Sequence, residues 1–306
     1  CPVCGGELRF LGDGTERIEA DLHALFPGVE TLRTVLVVGN ASAAPADPDD
    51  VADVVAFDEV YATTESGDSA DTAADSPAII IYTSGTTGLP KGALHAHRIL
   101  PAHMPGVRTA FANAPQPGDV FWTPADWAWI GGLFDVLFTA MALGRPVVAT
   151  PGRLSAAETV AVLRRHRVTA TFMPPTALKQ LRSAGITAAD AEELALRIIA
   201  TGGESLGSAL REWIEATLAT PVNEFYGQTE INMVLGTTVE SLPPEPDSMG
   251  CAFPGFEVAV LDPDGTPVGA GEVGEICVRA GNPGQFLEYW QQPEATAEKL
   301  RHGWIH

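Results

Sequence analysis

A short segment between Thr83 and Gly92 combines the residue types that bind phosphate. It follows an apolar, β-branched run and holds four hydroxyl side chains, three glycines and one lysine: Thr83, Ser84, Gly85, Thr86, Thr87, Gly88, Lys91 and Gly92. Glycines let backbone N–H groups approach a ligand closely, and a lysine adds a compact positive charge. The segment is therefore typical of a loop that holds phosphate oxygens.

The spacing of this segment excludes the most familiar phosphate-binding loop. A Walker A motif requires Gly-Lys followed directly by Ser or Thr. Here Pro90 precedes Lys91 and Gly92 follows it. The sequence therefore predicts a phosphate loop of a different class.

The cysteines give a weaker indication of chemistry. Cys1 and Cys4 form a CxxC pair followed by two glycines, which is half of a zinc ribbon. No second pair follows at ribbon spacing, so structural thiols are favoured over a zinc ion. Cys251 and Cys277 have no spaced partner. The absence of a disulfide framework agrees with a reducing, cytoplasmic location.

Alternating strand and helix patterns position these residues. A capping box at Ser155 and Glu158 opens one helix, and an apolar stripe marks a second at 208–219. Apolar runs predict buried strands at 32–38, 78–83, 146–150, 168–175, 196–203 and 221–227. This order predicts an α/β fold, with mostly parallel sheets and helices on both faces.

Changes of composition along the chain predict three parts. Residues 1–76 form the remainder of a first α/β subdomain with an acidic surface segment, in which "VADVVAFDEVYA" predicts one helix. Residues 77–246 form a second α/β subdomain, and 247–306 form a small antiparallel β lobe. The chain begins without Met, so we expect a piece of a longer protein.

The net charge limits the class of partner. The formal charge is −21, with 39 acidic against 18 basic side chains and only three lysines: Lys91, Lys179 and Lys299. Such a surface repels nucleic acid and anionic lipid. No apolar run has the length of a membrane span. The excess of carboxylates together with few lysines favours a protein adapted to a high-salt cytoplasm over an ordinary acidic enzyme.

Several motifs in order resemble those of the acyl-adenylate-forming superfamily, also called AMP-binding enzymes. "YTSGTTGLPKG" (82–92) resembles its signature loop, and the motifs that follow are "FWTPADWAWIGG" (121–132), "TGGESL" (201–206), "NEFYGQTE" (223–230), "GEVGEICVRA" (271–280) and "GWIH" (303–306). The resemblance covers about residues 30–306. It implies the fold of the family's large N-terminal domain, ending just before a Thr-Gly-Asp motif.

The resemblance implies a two-step reaction. A carboxylate attacks the α-phosphate of ATP and releases pyrophosphate, and a thiol, usually that of coenzyme A, then displaces AMP. The motif "FYGQTE" lacks a bulky Trp that shortens acetate pockets in some relatives, so a medium-chain fatty acid is expected as substrate. The family's mobile C-terminal domain is not in this sequence, so residues 1–306 alone are expected to be inactive.

The resemblance also implies roles for individual residues. The loop from Thr83 to Lys91 would hold the β- and γ-phosphates of ATP, and Glu230 would bind Mg²⁺. Thr229 would donate to the α-phosphate, and Tyr226 would lie against the adenine. The catalytic residues would be Lys91, Thr229 and Glu230. Further nucleotide contacts would come from Gly203, Glu204, Glu224, Phe225, Gly227 and Gln228, and acyl contacts from Trp127, Trp129, Gly132 and Gly202.

Two other functions stay open. An amino-acid or aryl-acid adenylation domain would load a carrier protein and would use an acidic residue, here Asp126, to meet a substrate amine. A nucleotide-binding remnant would have lost the chemistry. His97 and His103 either lie near the substrate carboxylate or have structural roles. The oligomeric state is not indicated by the sequence.

Overall fold

The computed structural model describes residues 71–83, 90–150, 152–239 and 248–306, together with the backbone of two strands at 32–37 and 51–56. Strands occur at β1 (Leu32–Val37), β2 (Val51–Ala56), β3 (Pro77–Thr83), β4 (Lys91–Ala96), β5 (Phe121–Trp122), β6 (Ala170–Phe172), β7 (Ile198–Gly202), β8 (Val222–Gln228), β9 (Asn232–Gly236), β10 (Cys251–Ala252), β11 (Val258–Leu261), β12 (Glu275–Arg279), β13 (Glu288–Tyr289), β14 (Leu300–Arg301) and β15 (Trp304–Ile305). Cys1, Cys4 and the loop residues 84–88 lie outside the described part.

Helices follow the same chain order. They are α1 (Ile99–Ala110), α2 (Ile130–Gly132), α3 (Thr139–Ala142), α4 (Ala156–Arg165), α5 (Pro175–Ser183), α6 (Ala188–Ala191), α7 (Ser208–Leu218) and α8 (Pro293–Lys299). A π-helical segment, Leu133–Phe138, joins α2 to α3. Among the described residues, none of these helices has the length and apolarity of a membrane span.

The chain divides into two compact units, Cys1–Thr72 and Ala73–His306. In the first unit β1 and β2 pair in parallel, with Leu32 opposite Val51. This confirms the strand predicted at 32–38. The helix predicted in "VADVVAFDEVYA" is wrong at its first half, because Val51–Ala56 is a strand. Three β-branched valines in six residues favour a strand with a parallel partner over a helix.

The six-stranded sheet of the second unit positions the candidate site. Its strand order is β10-β9-β8-β7-β6-β5. The pairs from β5 to β8 are parallel, and β9 and β10 are added antiparallel. The predicted mostly parallel sheet is confirmed. The strand predicted at 146–150 is wrong, since only one bridge joins Val147 to Phe121 and Pro146 has no N–H to extend a ladder.

Both faces of this sheet carry helices. Ile198 faces a core that contains Val107 of α1, whereas its neighbour Ile199 faces a core with Leu163 of α4 and Ile214 of α7. Successive strand residues point to opposite faces, so the two cores lie on opposite sides. The predicted helices also form: Ser155 and Glu158 make both bonds of the capping box, and Leu210, Ile214 and Leu218 are the buried positions of α7.

Two smaller antiparallel sheets complete the second unit. The order of the first is β13-β4-β3 and that of the second is β11-β12-β15-β14. The predicted strand at 78–83 is β3, and it forms a hairpin with β4 in which Thr83 pairs with Lys91. Thr83 and Lys91, near the two ends of the phosphate-type segment, are therefore paired with each other. The second sheet agrees with the antiparallel pairing predicted for the C-terminal part.

Candidate active site

A tight turn between β8 and β9 carries the predicted residues Thr229 and Glu230. Gly227 permits this turn, because a Cβ built there would lie 2.1 Å from the carbonyl oxygen of Asn232. Asn232 itself has φ +61°, a left-handed conformation that asparagine tolerates better than most residues. The sequence "YGQTEIN" therefore supplies the residue types that the turn requires.

Glu230 is buried and its carboxylate has two neighbours. The hydroxyl of Tyr289 donates to Glu230 Oε1. Lys299 Nζ lies 4.0 Å from Oε2, and the Glu230 side chain is 8% exposed. Burial raises the pKa of Tyr289, and the hydrogen bond to the Glu230 carboxylate raises it further. The phenol therefore stays protonated and keeps donating to Glu230.

Lys91 reaches the same residues from the hairpin. It is the first residue of β4, and its Nζ lies 5.2 Å from the centre of the Tyr289 ring. Tyr289 belongs to β13, which pairs with β4 so that Tyr289 lies opposite Ala93. The next N–H, of Trp290, donates to the carbonyl of Gly92 over 2.7 Å. The sheet thus holds Lys91 beside Tyr289, and Tyr289 connects it to Glu230.

A buried histidine fixes the turn from the other side. His95 Nε2 lies 2.8 Å from the carbonyl oxygen of Thr229, so it donates in the tautomer protonated there. Burial lowers the pKa of His95 to about 4 despite that bond. His103 is buried with neither ring nitrogen partnered by a described residue, and burial lowers its pKa to about 3. Both imidazoles are neutral at physiological pH. His97 is exposed on the surface.

A cavity of about 240 Å³ lies beside the turn. Trp129 packs on Phe172 with 5.6 Å between ring centres, and Phe172 packs on Phe225 at the same distance. These rings form an apolar wall. The lining residues are Trp129, Ile130, Gly131, Asp135, Phe172, Gly203, Phe225, Gly227, Gln228, Thr229 and Asn232. Five residues predicted from the motifs, besides Trp129, therefore meet in one cavity: Gly203, Phe225, Gly227, Gln228 and Thr229.

Glycines at the end of β7 bring the backbone close to this cavity. Gly203 has φ +88°, and a Cβ there would lie 3.2 Å from the Trp129 ring. Gly202 pairs with Phe225 across β7 and β8, and a Cβ there would lie 2.7 Å from the Phe225 carbonyl oxygen. Larger side chains at either position would push against the neighbouring strand or ring.

Other predicted site residues lie outside the lining of this cavity. Glu224 accepts from the Leu206 N–H over 2.8 Å and faces Arg211 at 3.4 Å, so it braces the "TGGESL" turn. Glu204 forms an exposed ion pair with Lys179. Tyr226 accepts a hydrogen bond from Gln228, and burial raises its pKa.

The "FWTPADWAWIGG" motif is divided between two cavities. Trp127 and Asp126 line a second cavity of about 490 Å³, together with Arg153. Asp126 Oδ1 accepts from the Ala128 N–H over 2.8 Å. Gly132 allows close packing, since a Cβ there would lie 2.4 Å from the Asp126 carbonyl oxygen. Of the three tryptophans in this motif, only Trp129 lines the cavity beside Thr229.

Sequence reasoning missed the residues that complete the site. Tyr289 and His95 lie outside the motifs that resemble the family, and the sequence predicts Phe172 only as part of a strand. Asp135 had a visible signal, because it interrupts the apolar run "GGLFDVLFTAMALG". It is 1% exposed and accepts from Asn232 Nδ2 over 2.5 Å. Burial raises the pKa of Asp135 to about 8, although that hydrogen bond opposes the rise.

A possible metal cluster in the C-terminal sheet already contains a cation. Glu275, Cys277 and His306 place their ligand atoms within 4.8 Å of one another. However, Arg301 Nη2 lies 3.1 Å from His306 Nδ1 and 3.3 Å from Glu275 Oε2. Burial raises the pKa of Cys277 to about 11, so the thiol keeps its proton. The guanidinium therefore lies within hydrogen-bond distance of two of the three candidate ligand atoms.

The sheet order, Lys91 at the start of β4 and the Thr229–Glu230 turn agree with an adenylate-forming α/β enzyme fold. The chain belongs to the family described as AMP-binding enzyme, whose model matches residues 12–290. The resemblance inferred from the motifs is therefore confirmed.

Individual relatives agree with this family. A protein of Bacillus subtilis (strain 168) named uncharacterized acyl–CoA ligase YtcI is 30% identical over 234 residues, which are 76% of this chain and 44% of the relative. The fatty acid–[acyl-carrier-protein] ligase ScoC of Streptomyces coeruleorubidus is 34% identical over 251 residues, 77% of this chain and 46% of the relative. The chain spans about half the length of the curated relatives that it matches.

Solved structures show the same fold. The crystal structure of a Brucella canis acyl-CoA synthetase superposes with a TM-score of 0.79 at 26% identity, over 94% of this chain and 55% of that one. A benzoate CoA ligase from Burkholderia xenovorans LB400 superposes with a TM-score of 0.78 at 22% identity, over 94% of this chain and 58% of that one. The latter likeness concerns the fold alone.

Proposed function

We propose that this chain carries the nucleotide and acid sites of an enzyme that activates a carboxylic acid with ATP as an acyl adenylate and passes the acyl group to coenzyme A. One observation supports the proposal most strongly. In a chain of net charge −21, two of the three lysines, Lys91 and Lys299, lie around the Tyr289–Glu230 pair. Such a local concentration of positive charge suits a polyanion.

In the first half-reaction a carboxylate attacks the α-phosphate and pyrophosphate leaves, so negative charge moves onto the leaving group. The groups that matter most are therefore those that stabilise the transferring phosphates. In this proposal Lys91, the first residue of β4, binds β- and γ-oxygens, and Thr229 donates to the α-phosphate. Neutral His95 holds the Thr229 backbone and keeps this donor in position.

The residues at Glu230 fit a magnesium ion that is shared with the nucleotide. Mg²⁺ is commonly held by one or two carboxylates together with substrate phosphates and water. Glu230 supplies one carboxylate, whose Oε1 takes the Tyr289 hydroxyl, while Oε2 has Lys299 at 4.0 Å. When bound, the ion would neutralise charge on the phosphates.

The cavity beside Thr229 would receive the acyl group. Its aromatic wall of Trp129, Phe172 and Phe225 supports an organic acid as the substrate. A medium-chain fatty acid, expected from the sequence, remains a prediction, and the polar residues Asp135 and Asn232 in the same cavity argue against a long alkyl chain. Asp126, which would bind the amine of an amino acid in the alternative function, lines the other cavity.

The acyl acceptor has two candidates. Coenzyme A is the proposed acceptor, because the family resemblance and the relative named acyl–CoA ligase both favour it. A carrier-protein thiol is the second candidate, because ScoC is named for that acceptor. We expect the reaction to take place in the cytoplasm, where ATP and coenzyme A are available.

The proposal is tested by ATP–pyrophosphate exchange. The assay uses the native protein, meaning the polypeptide as the cell makes it. Labelled pyrophosphate should enter ATP only when Mg²⁺ and a suitable acid are both present. The same mixture with coenzyme A or a carrier protein identifies the acceptor. If no acid in a panel of alkyl, aryl, hydroxy and amino acids supports exchange, the proposal is wrong.

A further inference from the structure

The cavity beside Thr229 has a polar pair, Asp135 and Asn232, in its lining. Asp135 is 1% and Asn232 3% exposed, whereas Trp129 in the same lining is 36% exposed. The two polar side chains are therefore almost completely shielded from solvent, whereas Trp129 borders it. A cavity for an alkyl chain would be lined by apolar side chains, so the presence of two polar side chains in this lining needs an explanation.

The pair leaves polar atoms for a ligand. Asn232 Nδ2 donates to Asp135 Oδ1 over 2.5 Å. Among the described residues, no other hydrogen bond reaches Asp135 Oδ2 or Asn232 Oδ1. Buried polar atoms favour a partner, because leaving them unpaired costs their lost hydration. A substrate group that reaches this pair in the cavity can satisfy both oxygens.

The chemistry of the pair favours a neutral substrate group. The described lining contains no Lys, Arg or His, so an ionised Asp135 would lack a counter-charge there. Burial raises the pKa of Asp135 to about 8, and at neutral pH its carboxyl is therefore protonated. Asp135 then offers an O–H donor next to the Asn232 Oδ1 acceptor. A hydroxyl group, which accepts and donates at once, matches this arrangement.

We propose that the cavity selects a small carboxylic acid that bears a hydroxyl group, which Asp135 and Asn232 bind. This inference rests on the proposed function, because it names the acid that is activated. The cavity volume of about 240 Å³ supports a small acid, since sites for drug-sized ligands span roughly 300–1,000 Å³. Asp135 and Asn232 are specificity-determining residues in this account.

The experiment compares acids of equal size in ATP–pyrophosphate exchange with the native protein. One series is 3-hydroxybutanoate, 3-methylbutanoate and 3-aminobutanoate, and another is 4-hydroxybutanoate, pentanoate and 4-aminobutanoate, with octanoate as the medium-chain acid. We expect kcat/KM for a hydroxy acid to exceed that of its methyl counterpart by at least about 100-fold, because polar sites reject analogues that leave them unpaired. The amino acids should be poorer still.

The outcomes separate this inference from the proposed function. Exchange that is best with octanoate, a methyl-bearing acid or an amino acid would support adenylation and overturn the hydroxy-acid inference. If no acid supports exchange, the proposed function fails and the inference fails with it.

Substitutions at Asp135 give the second readout. Asp135→Leu should lower kcat/KM for the preferred hydroxy acid by at least about 10-fold while maintaining or raising it for the methyl counterpart. Activity with the methyl acid shows that the variant is folded. Asp135→Asn keeps a donor and should retain the hydroxyl preference, and Asp264→Leu, at an exposed aspartate, is the matched control. An unchanged preference in Asp135→Leu contradicts the inference. If that variant does not fold, the comparison of acids with the unmodified protein decides.

Discussion

The hydroxyl of Tyr289 donates a hydrogen bond to the buried carboxylate of Glu230, although 59 residues separate them in the sequence. Lys91 Nζ lies 5.2 Å from the centre of the same tyrosine ring. Tyr289 therefore connects the hairpin that carries the phosphate-type segment to the turn that carries Thr229 and Glu230. Under the proposed function, both elements would act on one bound nucleotide.

The hydrogen bond from Tyr289 to Glu230 should contribute measurably to the free energy of unfolding. Tyr289→Phe leaves a buried carboxylate without its donor, and we expect the free energy of unfolding to fall by about 1–3 kcal/mol. Tyr226→Phe is the matched control, because Tyr226 accepts a hydrogen bond from the neutral amide of Gln228. This substitution should lower the free energy of unfolding by a smaller amount. Urea denaturation measures both variants. Equal losses of unfolding free energy in the two variants would contradict a larger contribution of the bond to Glu230.

Lys91→Ala should affect the chemical step more than nucleotide binding. The lysine meets charge that develops as pyrophosphate leaves, so its contribution is larger in the transition state than in the ground state. We expect the exchange rate to fall by about 100-fold or more, with a smaller change in the apparent KM for ATP. Arg165→Ala, at an exposed position in α4, should leave the rate unchanged. Identical exchange rates for Lys91→Ala and the unmodified protein would rule out this role.

Buried His103 should make stability depend on pH. Its pKa falls from 6.5 to about 3 on folding, so its stabilising contribution is complete above pH 6.5 and is lost progressively as pH falls toward 3. Relative to His103→Phe, the unmodified protein should lose about 1.4 kcal/mol of unfolding free energy per pH unit below 6.5. Denaturation between pH 4.5 and 7.5 measures the difference, with exposed His97→Phe as the control. If the unfolding free energies of the unmodified protein and His103→Phe change in parallel with pH, burial does not lower the pKa of His103.

The acidic surface gives a prediction about salt. With a net charge of −21, self-repulsion opposes the compact state, and dissolved salt screens it. If the composition is an adaptation to a high-salt cytoplasm, the thermal midpoint should rise steadily from dilute to molar KCl. A midpoint that is constant or falls over that range would remove this interpretation.

Local sequence patterns predicted the elements that are stabilised by residues close together in the chain. The Ser155–Glu158 capping box involves residues three positions apart and forms as expected. The β7 and β8 strands follow from short apolar runs. The strand at Val51–Ala56 was missed because its parallel partner, β1, lies elsewhere in the chain, and helix and strand patterns are difficult to separate in a short run.

Long-range contacts explain most of what the sequence did not indicate. Asp135 and Asn232 are 97 residues apart, and no local spacing relates them. The motif "FWTPADWAWIGG" indicated a cavity wall, but only the fold shows that Trp129 and Trp127 line different cavities. Likewise Glu224 belongs to the nucleotide motif, yet its carboxylate is occupied by the Leu206 N–H and Arg211. The division of the chain at residues 76 and 246 stays a prediction.

The central claim is that the substrate carboxylate attacks the α-phosphate of ATP, and isotope transfer tests this most directly. The native protein is given an acid that supports exchange, with both carboxylate oxygens labelled as ¹⁸O, together with ATP, Mg²⁺ and coenzyme A. Attack on the α-phosphate makes one labelled oxygen the bridge between the acyl carbon and phosphorus. The thiol then breaks the bond between that carbon and the bridging oxygen. We therefore expect AMP that carries one ¹⁸O atom. Unlabelled AMP, or label in inorganic phosphate together with ADP, would contradict it.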